Sequence, residues 1–324
     1  MSMIITDRIW GTISIKDPLI EELIISPEIQ RLKRIAQAGI TAYIEPERDT
    51  TRFEHSVGAY YLLHAFGCSR EEQVAGLIHD FTHTAFSHVI DYVYVNTTQS
   101  YHEDEFVKKY KESSLYGIIK KHGLNAELFT DLEQFAILEQ PIPNLCIDRL
   151  DYFIRDYFIS TKDKDGIVSW IDSLRVVSGK LTFVNIENGE GFGNEFLNEM
   201  ERTWFSPYGV YCYSLFAELL KKALRNNILT PSDFEMDDQI LIGILQNKME
   251  NEYGLFLSEV KKDVKVISEK DSDTYPYIGK FRYIDPFIKE GGKVTRLSSL
   301  KSAFSERVNS LRNKYAQPRY ISPQ

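Results

Sequence analysis

The run Arg52-Phe53-Glu54-His55, followed by His79-Asp80 and later by Asp148, constrains this chain more than any other feature. Two imidazoles and two carboxylates come from three separate apolar-periodic segments, so a fold has to gather them before they can surround an ion. His79-Asp80 closes the apolar run Val74-Ala75-Gly76-Leu77-Ile78. Polar groups in that setting are costly to bury without a partner, and a metal suits both an imidazole and a carboxylate. All seven histidines fall between His55 and His122, a concentration that a purely structural scatter does not produce. Imidazole nitrogen with carboxylate oxygen suits Mn, Fe, Zn or Mg rather than a thiolate-seeking ion.

The periodicity between these groups is mostly helical. Ser26-Pro27-Glu28 starts a helix, with serine as N-cap and proline at the first position, and Ile29, Leu32 and Ile35 continue one face until Gly39 ends it. Helices are expected from about Glu54 to Phe66, after Ser69 through His79, and over 115–122, 131–138 and 144–158. Ser100-Tyr101-His102-Glu103 reads as a capping box. Residues 8–16 look like a strand or arm. Lys180 to Ile186 is strand-like, and Gly189, Gly191 and Gly193 read as turn residues of a β-hairpin. A long helix carrying Leu215, Phe216, Leu219, Leu220 and Leu224 ends near Asn226, and another runs from Asp233 to Glu252. Lys265-Val266-Ile267 and Lys280-Phe281-Arg282-Tyr283-Ile284 look like strands, and 298–314 like a charged amphipathic helix that could serve as a dimer surface. The expected fold is therefore mainly α, with a small β-hairpin and a mixed α/β C-terminal part. A composition shift near 226 divides it into residues 1–225 and an extension, 226–324, packed on them.

The net charge of −9 argues against a general nucleic-acid binder, which carries a basic face, while leaving room for a basic pocket that takes a small anion. Cys68, Cys146 and Cys212 stand in no metal-binding spacing and fit a reducing compartment. No apolar stretch reaches the roughly 18 residues of a membrane span, and no signal-peptide core is seen at the N-terminus, so the expectation is a cytoplasmic protein.

Taken in order, the blocks Ile29-Gln30-Arg31-Leu32-Lys33, Gln37-Ala38-Gly39, Arg52-Phe53-Glu54-His55-Ser56-Val57-Gly58, Ala75-Gly76-Leu77-Ile78-His79-Asp80, Ala85-Phe86-Ser87-His88, His102-Glu103-Asp104 and Asp148-Arg149-Leu150-Asp151-Tyr152 resemble the HD-domain phosphohydrolases. The branch they look most like is the deoxynucleoside triphosphate triphosphohydrolases and their small bacterial relatives. The resemblance covers roughly residues 8–225 and implies a helical bundle with His55, His79, Asp80 and Asp148 on one divalent metal. A metal there would lower the pKa of a water and offset phosphoryl charge.

The same resemblance makes His83 and His102 catalytic groups beside the substrate phosphate, with Asp91 orienting or moving a proton and Glu103 beside them, although a capping role alone explains Glu103. It places Arg52 and Arg149 on phosphate, His88 beside the α-phosphate, Gln37 at the 3′-hydroxyl, and Tyr211 in the sugar–base pocket. Asp148, Tyr152 and Asp156 recur at i, i+4 and i+8 and so share one helical stripe, which suits metal, sugar ring and ribose hydroxyl in turn. Asp151 and Arg155, also four apart, read as a plain intrahelical ion pair. His64 and His122 match nothing in the pattern.

Two departures stand out. Thr82 occupies a place where the family usually has glycine, and Tyr211-Cys212-Tyr213-Ser214 lacks the histidine and lysine that commonly follow the tyrosine, so the outer phosphate clamp of triphosphate-cleaving members is not evident. The function expected is a metal-dependent phosphohydrolase on a nucleotide or related phosphate ester, dNTP triphosphohydrolase-like first. A phosphomonoesterase or phosphodiesterase, or a non-catalytic nucleotide-binding sensor, is the alternative. A homo-oligomer is allowed.

Overall fold

A computed structural model describes residues 2–96 and 101–324. Ser100, the proposed cap, lies outside the described residues. The molecule is mainly helical with small sheets at its edges. None of the described helices is long and apolar enough to cross a membrane.

Two antiparallel helices carry the first metal-type groups. Arg52–Ala65 opens at Thr51 with a reciprocal capping box to Glu54, and Arg70–Ile78 opens at Ser69 with the same device to Glu72. These caps satisfy orphan N–H groups and fix where each helix begins, which sets the rotation of His55 inward and leaves His79 at the end of the second helix. The Ile147–Thr161 helix packs against the first, and Gly58 makes the approach possible. A Cβ there would lie 2.0 Å from Asp151 Oδ1 and 2.3 Å from Arg155 Nη2. Between Leu32 and Arg52 the chain is tighter than expected. The helix Pro27–Arg31 gives way to two 3₁₀ segments, Leu32–Arg34 and Gly39–Tyr43, and a bridge joins Ala36 to Thr51, which holds Gln37 beside the start of the Arg52 helix.

Residues 8–16 belong to a hairpin, with Met3–Asp7 antiparallel to Gly11–Ile15. The second hairpin also exists, but its elements differ from the sequence reading. Leu174–Val177 pairs with Lys180–Phe183, whereas Gly189, Gly191 and Gly193 lie inside the helix Ile186–Glu199. Packing explains the helical glycine at 189, where a Cβ would meet Ile288 Cδ1 at 2.3 Å. That helix face is pressed on the strand Phe287–Glu290, which joins Lys180–Phe183 in parallel before turning back through Lys293–Arg296. The expected 131–138 helix is reduced to the 3₁₀ turn Leu132–Gln134, and the expected helix from Asp233 to Glu252 is broken into Asp238–Lys248 and Glu250–Glu259. Val264–Ile267 is a strand, paired with Tyr320–Pro323. Residues 277–286 are not in a strand.

The main core runs from Ile13 through Leu197 and also takes in Ile284, Ile288, Leu297, Phe304, Val308 and Leu311. A second core forms around Phe86, Phe216, Leu220 and Leu241. C-terminal residues thus complete apolar layers begun by the first two hundred, and the segment before Ile284 is carried across the face where the helices bearing His55, His79 and Asp148 converge.

Candidate active site

His55, His79, Asp80 and Asp148 converge. The Nε2 atoms of His55 and His79 face each other at 3.2 Å, Asp148 Oδ1 lies 3.0 Å from His55 Nε2 and 3.6 Å from His79 Nε2, and the Asp80 carboxylate is 3.6 Å from the first ring and 3.5 Å from the second. The far side of each imidazole explains its orientation. His79 Nδ1 donates to the Gly76 carbonyl at 2.8 Å, and His55 Nδ1 donates to Asp151 Oδ2 at 2.8 Å. With both protons committed outward, both Nε2 lone pairs point at one place. Two facing lone pairs flanked by two carboxylates repel one another unless a positive charge lies among them. The electrostatics agree: burial disfavours charge on His55, yet hydrogen bonds to Asp148 and Asp151 and the charge of Asp80 outweigh it and hold the ring up to about 10. Despite burial, hydrogen bonds from His55 and His79 keep Asp148 well below the usual carboxylate range. A place that draws a proton this strongly fits a divalent cation held by two imidazole nitrogens and carboxylate oxygens.

Asp151 was read from sequence as one half of an ion pair with Arg155. That pair is present at 2.6 Å, but Asp151 also accepts from His55 and, through Oδ1, from Trp10 Nε1 at 2.8 Å. Arg155 in turn reaches Asp7 at 2.9 Å. The N-terminal hairpin is thereby tied to the ring orientation of His55 by a network in which Asp7, His55, Asp151 and Arg155 are buried and Trp10 half-buried. Nothing in the i, i+4 spacing signals this, because Trp10 and Asp7 are distant in sequence.

Beside the cation place, Arg52 donates from Nη1 to Asp80 at 2.7 Å and from Nε to Ser87 Oγ at 3.0 Å. His83 stacks on His102 with ring centroids 3.8 Å apart, and His88 stands against both at 5.1 and 5.5 Å. His83 Nε2 lies 3.3 Å from Asp80 Oδ1. Burial, with the charge of Arg52 and the other rings, pushes His83 well below its ordinary value and His102 down to about 3. Asp91 does not line the cavity; its Oδ2 is 3.0 Å from His88 Nδ1 and fixes that ring. Glu103 is largely exposed, 3.8 Å from His102 Nε2. Thr82, the departure from glycine, donates from Oγ1 to the His102 carbonyl at 2.9 Å and ties the two histidine-bearing segments together. His64 and His122 lie apart, with Gln73 and Glu22.

No family model matches the chain. Individual relatives do. The uncharacterized protein YdhJ of Bacillus subtilis is 36% identical over 288 residues, 88% of each chain. The metal-dependent phosphohydrolase cns2 of Cordyceps militaris is 28% identical over 305 residues, 90% of this chain and 86% of its own. The chain belongs to the HD-domain metal-dependent phosphohydrolases. A shorter similarity, 39% over 103 residues, links 27% of it to 16% of the human deoxynucleoside triphosphate triphosphohydrolase SAMHD1. A phosphohydrolase structure from Bacteroides thetaiotaomicron shares the fold over 99% of both chains, with a TM-score of 0.75 at 20% identity. Over nine-tenths of its length the chain is thus similar to a metal-dependent phosphohydrolase, and its cluster of His55, His79 and Asp80 suits a divalent metal.

In this HD-domain phosphohydrolase the cation place opens into a cavity of about 310 Å³. From the Ile147–Thr161 helix, Asp148, Tyr152 and Asp156 all line it, as their spacing predicts, and so do Gln37, Arg149, His88 and Glu103. Gln37 Oε1 is buried without a hydrogen-bond partner. Arg149 is anchored through Nη1 to the Gln140 and Asn144 carbonyls. Asp156 Oδ2 accepts from Trp204 Nε1 at 2.6 Å, and Trp204 meets Tyr152 edge to face at 5.0 Å.

Tyr211 does not reach the cavity. Its side chain is fully buried, with the hydroxyl 3.4 Å from the Glu259 carbonyl, and Tyr213, two positions on, lines the cavity instead. Two residues along the Pro207–Arg225 helix turn a side chain by about 200°. The sequence reading also missed Arg48, Glu139, Arg202, Trp204, Lys280 and Arg282, all of which line the cavity.

Proposed function

We propose that the chain hydrolyses nucleotides, with a deoxynucleoside triphosphate as the first substrate to test. The observation that carries this reading is the pair of Nε2 atoms 3.2 Å apart with Asp148 beside them, next to a cavity lined by both arginines and aromatic rings. His55, His79, Asp80 and Asp148 would hold the metal, which supplies Lewis acidity toward phosphoryl oxygen and a more acidic water when bound. Arg52 and Arg149 present fixed guanidinium donors to phosphate. Arg52 is held rigid by Asp80 and Ser87, so its donors need little reorganisation when charge builds on the phosphoryl oxygens. His83 and His102, stacked beside Asp80, are held uncharged by burial, and the charge of a bound phosphate would raise them toward the protonated form in which a ring passes a proton to the leaving oxygen. Asp91 keeps His88 turned toward the same space.

On the nucleoside side, Tyr152 offers a face to the sugar, Asp156 a carboxylate to a ribose hydroxyl, and Gln37 an amide whose Oε1 lacks a partner within the protein. The local similarity to SAMHD1 supports a dNTP over an unrelated ester.

A second reading, phosphodiester cleavage with two metals, is favoured by one observation. Asp80, His83 and His102 also bring one ligand atom each within 4.8 Å of one another, and a paired site is a common device for in-line displacement. Purified protein assayed with Mn, Fe, Mg and Zn against dNTPs, nucleoside monophosphates and cyclic dinucleotides separates the readings. Turnover of dNTPs supports the first, turnover confined to diesters the second, and no turnover of any nucleotide removes both.

A further inference from the structure

Two cations reach the cavity from a segment far along the chain from Tyr211. From Tyr277 to Asp285 the backbone runs outside any sheet and is fastened at both ends. Tyr277 N donates to the Arg319 carbonyl at 2.9 Å and its hydroxyl to the Phe205 carbonyl. At the far end Ile284 is fully buried in the main core, and Asp285 N donates to the Pro143 carbonyl at 2.9 Å. Between these anchors Tyr92, on the cavity wall, donates to the Ile278 carbonyl at 3.3 Å.

Side chains along this strap divide by alternation. Phe281 and Tyr283 stack on each other at 5.5 Å, and Phe281 lies 6.0 Å from Tyr315 of the helix Ser302–Ala316. Lys280 and Arg282, two apart, both line the cavity. They complement Arg52, which is bonded to Asp80, and Arg149, next in sequence to Asp148. Acidic groups are present too, since Glu103 and Glu139 share the cavity with Lys280. Lys280 sits below its ordinary pKa, through burial and then the charge of Arg282, and burial, with the charges of Arg52 and then Arg282, lowers His88. Cations gathered this closely gain from an anion among them.

We propose that Lys280 and Arg282 grip the phosphates farthest from the metal, so that the site takes a nucleoside polyphosphate in preference to a monophosphate. This inference rests on the nucleotide reading above. The strap is fastened at both ends, so its cations line the cavity before substrate arrives and add to the charge that a chain of several phosphates meets there.

The test compares wild type with a Lys280→Ala/Arg282→Ala double variant and with Arg282→Lys, with thermal midpoints measured to confirm folding. Readouts are KM for dNTP, and inhibition of dNTP turnover by inorganic tripolyphosphate and by orthophosphate. The expected result is a KM raised at least about tenfold in the double variant, as loss of charge-assisted hydrogen bonds implies. Tripolyphosphate inhibition should weaken alike while orthophosphate inhibition is unchanged, and Arg282→Lys should fall between. An unchanged KM, or equal weakening of both inhibitors, overturns the clamp while leaving the nucleotide reading intact. Absence of nucleotide turnover by wild type overturns both. Should the double variant not fold, equal affinity of wild type for tripolyphosphate and orthophosphate overturns the clamp, and tighter tripolyphosphate binding that Arg282→Lys weakens supports it.

Discussion

His55 donates its Nδ1 proton to Asp151 Oδ2 across 2.8 Å, and this one bond decides which nitrogen is left to face His79. Asp151→Asn keeps the size of the side chain but places an amide among three donors: His55, Arg155 and Trp10. The expected outcome is metal affinity weakened about 10- to 100-fold, together with a stability loss of about 3 kcal/mol as buried Arg155 loses one of its two carboxylates. Competition with a chelator and urea unfolding measure the two effects. Unchanged affinity would show that His55 is oriented by something else.

Removing the metal should cost stability as well as activity. The two ring nitrogens and the carboxylates of Asp80 and Asp148 then face one another with only protons to relieve them. A metal present at 100-fold over its Kd stabilises by about 2.7 kcal/mol. The thermal midpoint of chelator-treated protein is therefore expected to fall by several degrees and to recover when Mn or Fe is restored. A midpoint indifferent to chelation and restoration contradicts a resident metal.

Thr82 holds His102 by its hydroxyl rather than by its bulk. Thr82→Val is expected to lower kcat about tenfold, the equivalent of one lost hydrogen bond of ~1.4 kcal/mol, and Thr82→Ser to retain most of it. Equal rates for the serine and valine variants would show that only the shape of the side chain matters.

Asp238 gives a pH dependence away from the catalytic groups. It is fully buried, and burial pushes its carboxyl up to about 6, although it accepts from Ala36 N, Phe86 N and Tyr43. A raised folded value means the native state holds the proton more tightly than the unfolded chain. Its stabilising contribution is complete below about pH 4 and is lost as pH rises through about 6. The loss amounts to roughly 3 kcal/mol for a shift of about two units. Urea unfolding of wild type and Asp238→Asn from pH 4 to 7 should show the wild type losing ground to the variant as pH rises, and a constant difference contradicts it.

Much of this site is legible in sequence where local chemistry fixes direction. Thr51 and Ser69 cap their helices through Glu54 and Glu72, so the phases of His55 and His79 follow from short-range signals. Asp148, Tyr152 and Asp156 follow from helical spacing alone. The rest depends on chain reversals that no local pattern encodes. Trp10 returns to Asp151, and Asp7 to Arg155, from a hairpin more than 140 residues away. Lys280 and Arg282 alternate as a strand would, yet the segment finds no strand partner and lies across a cavity instead. Gly189 looks like a turn residue until Ile288 is seen to occupy the space of its missing side chain. Tyr211 and Tyr213 are chemically alike, and only the phase of their helix separates a core ring from a cavity ring.

The most direct measurement is the metal content of purified wild type, His79→Ala and Asp148→Ala, determined by elemental analysis alongside dNTP turnover. The expected result is stoichiometric divalent metal in wild type, with metal and turnover lost together in both variants. Wild type without metal, or variants that keep both metal and turnover, would contradict a cation held between His55 and His79.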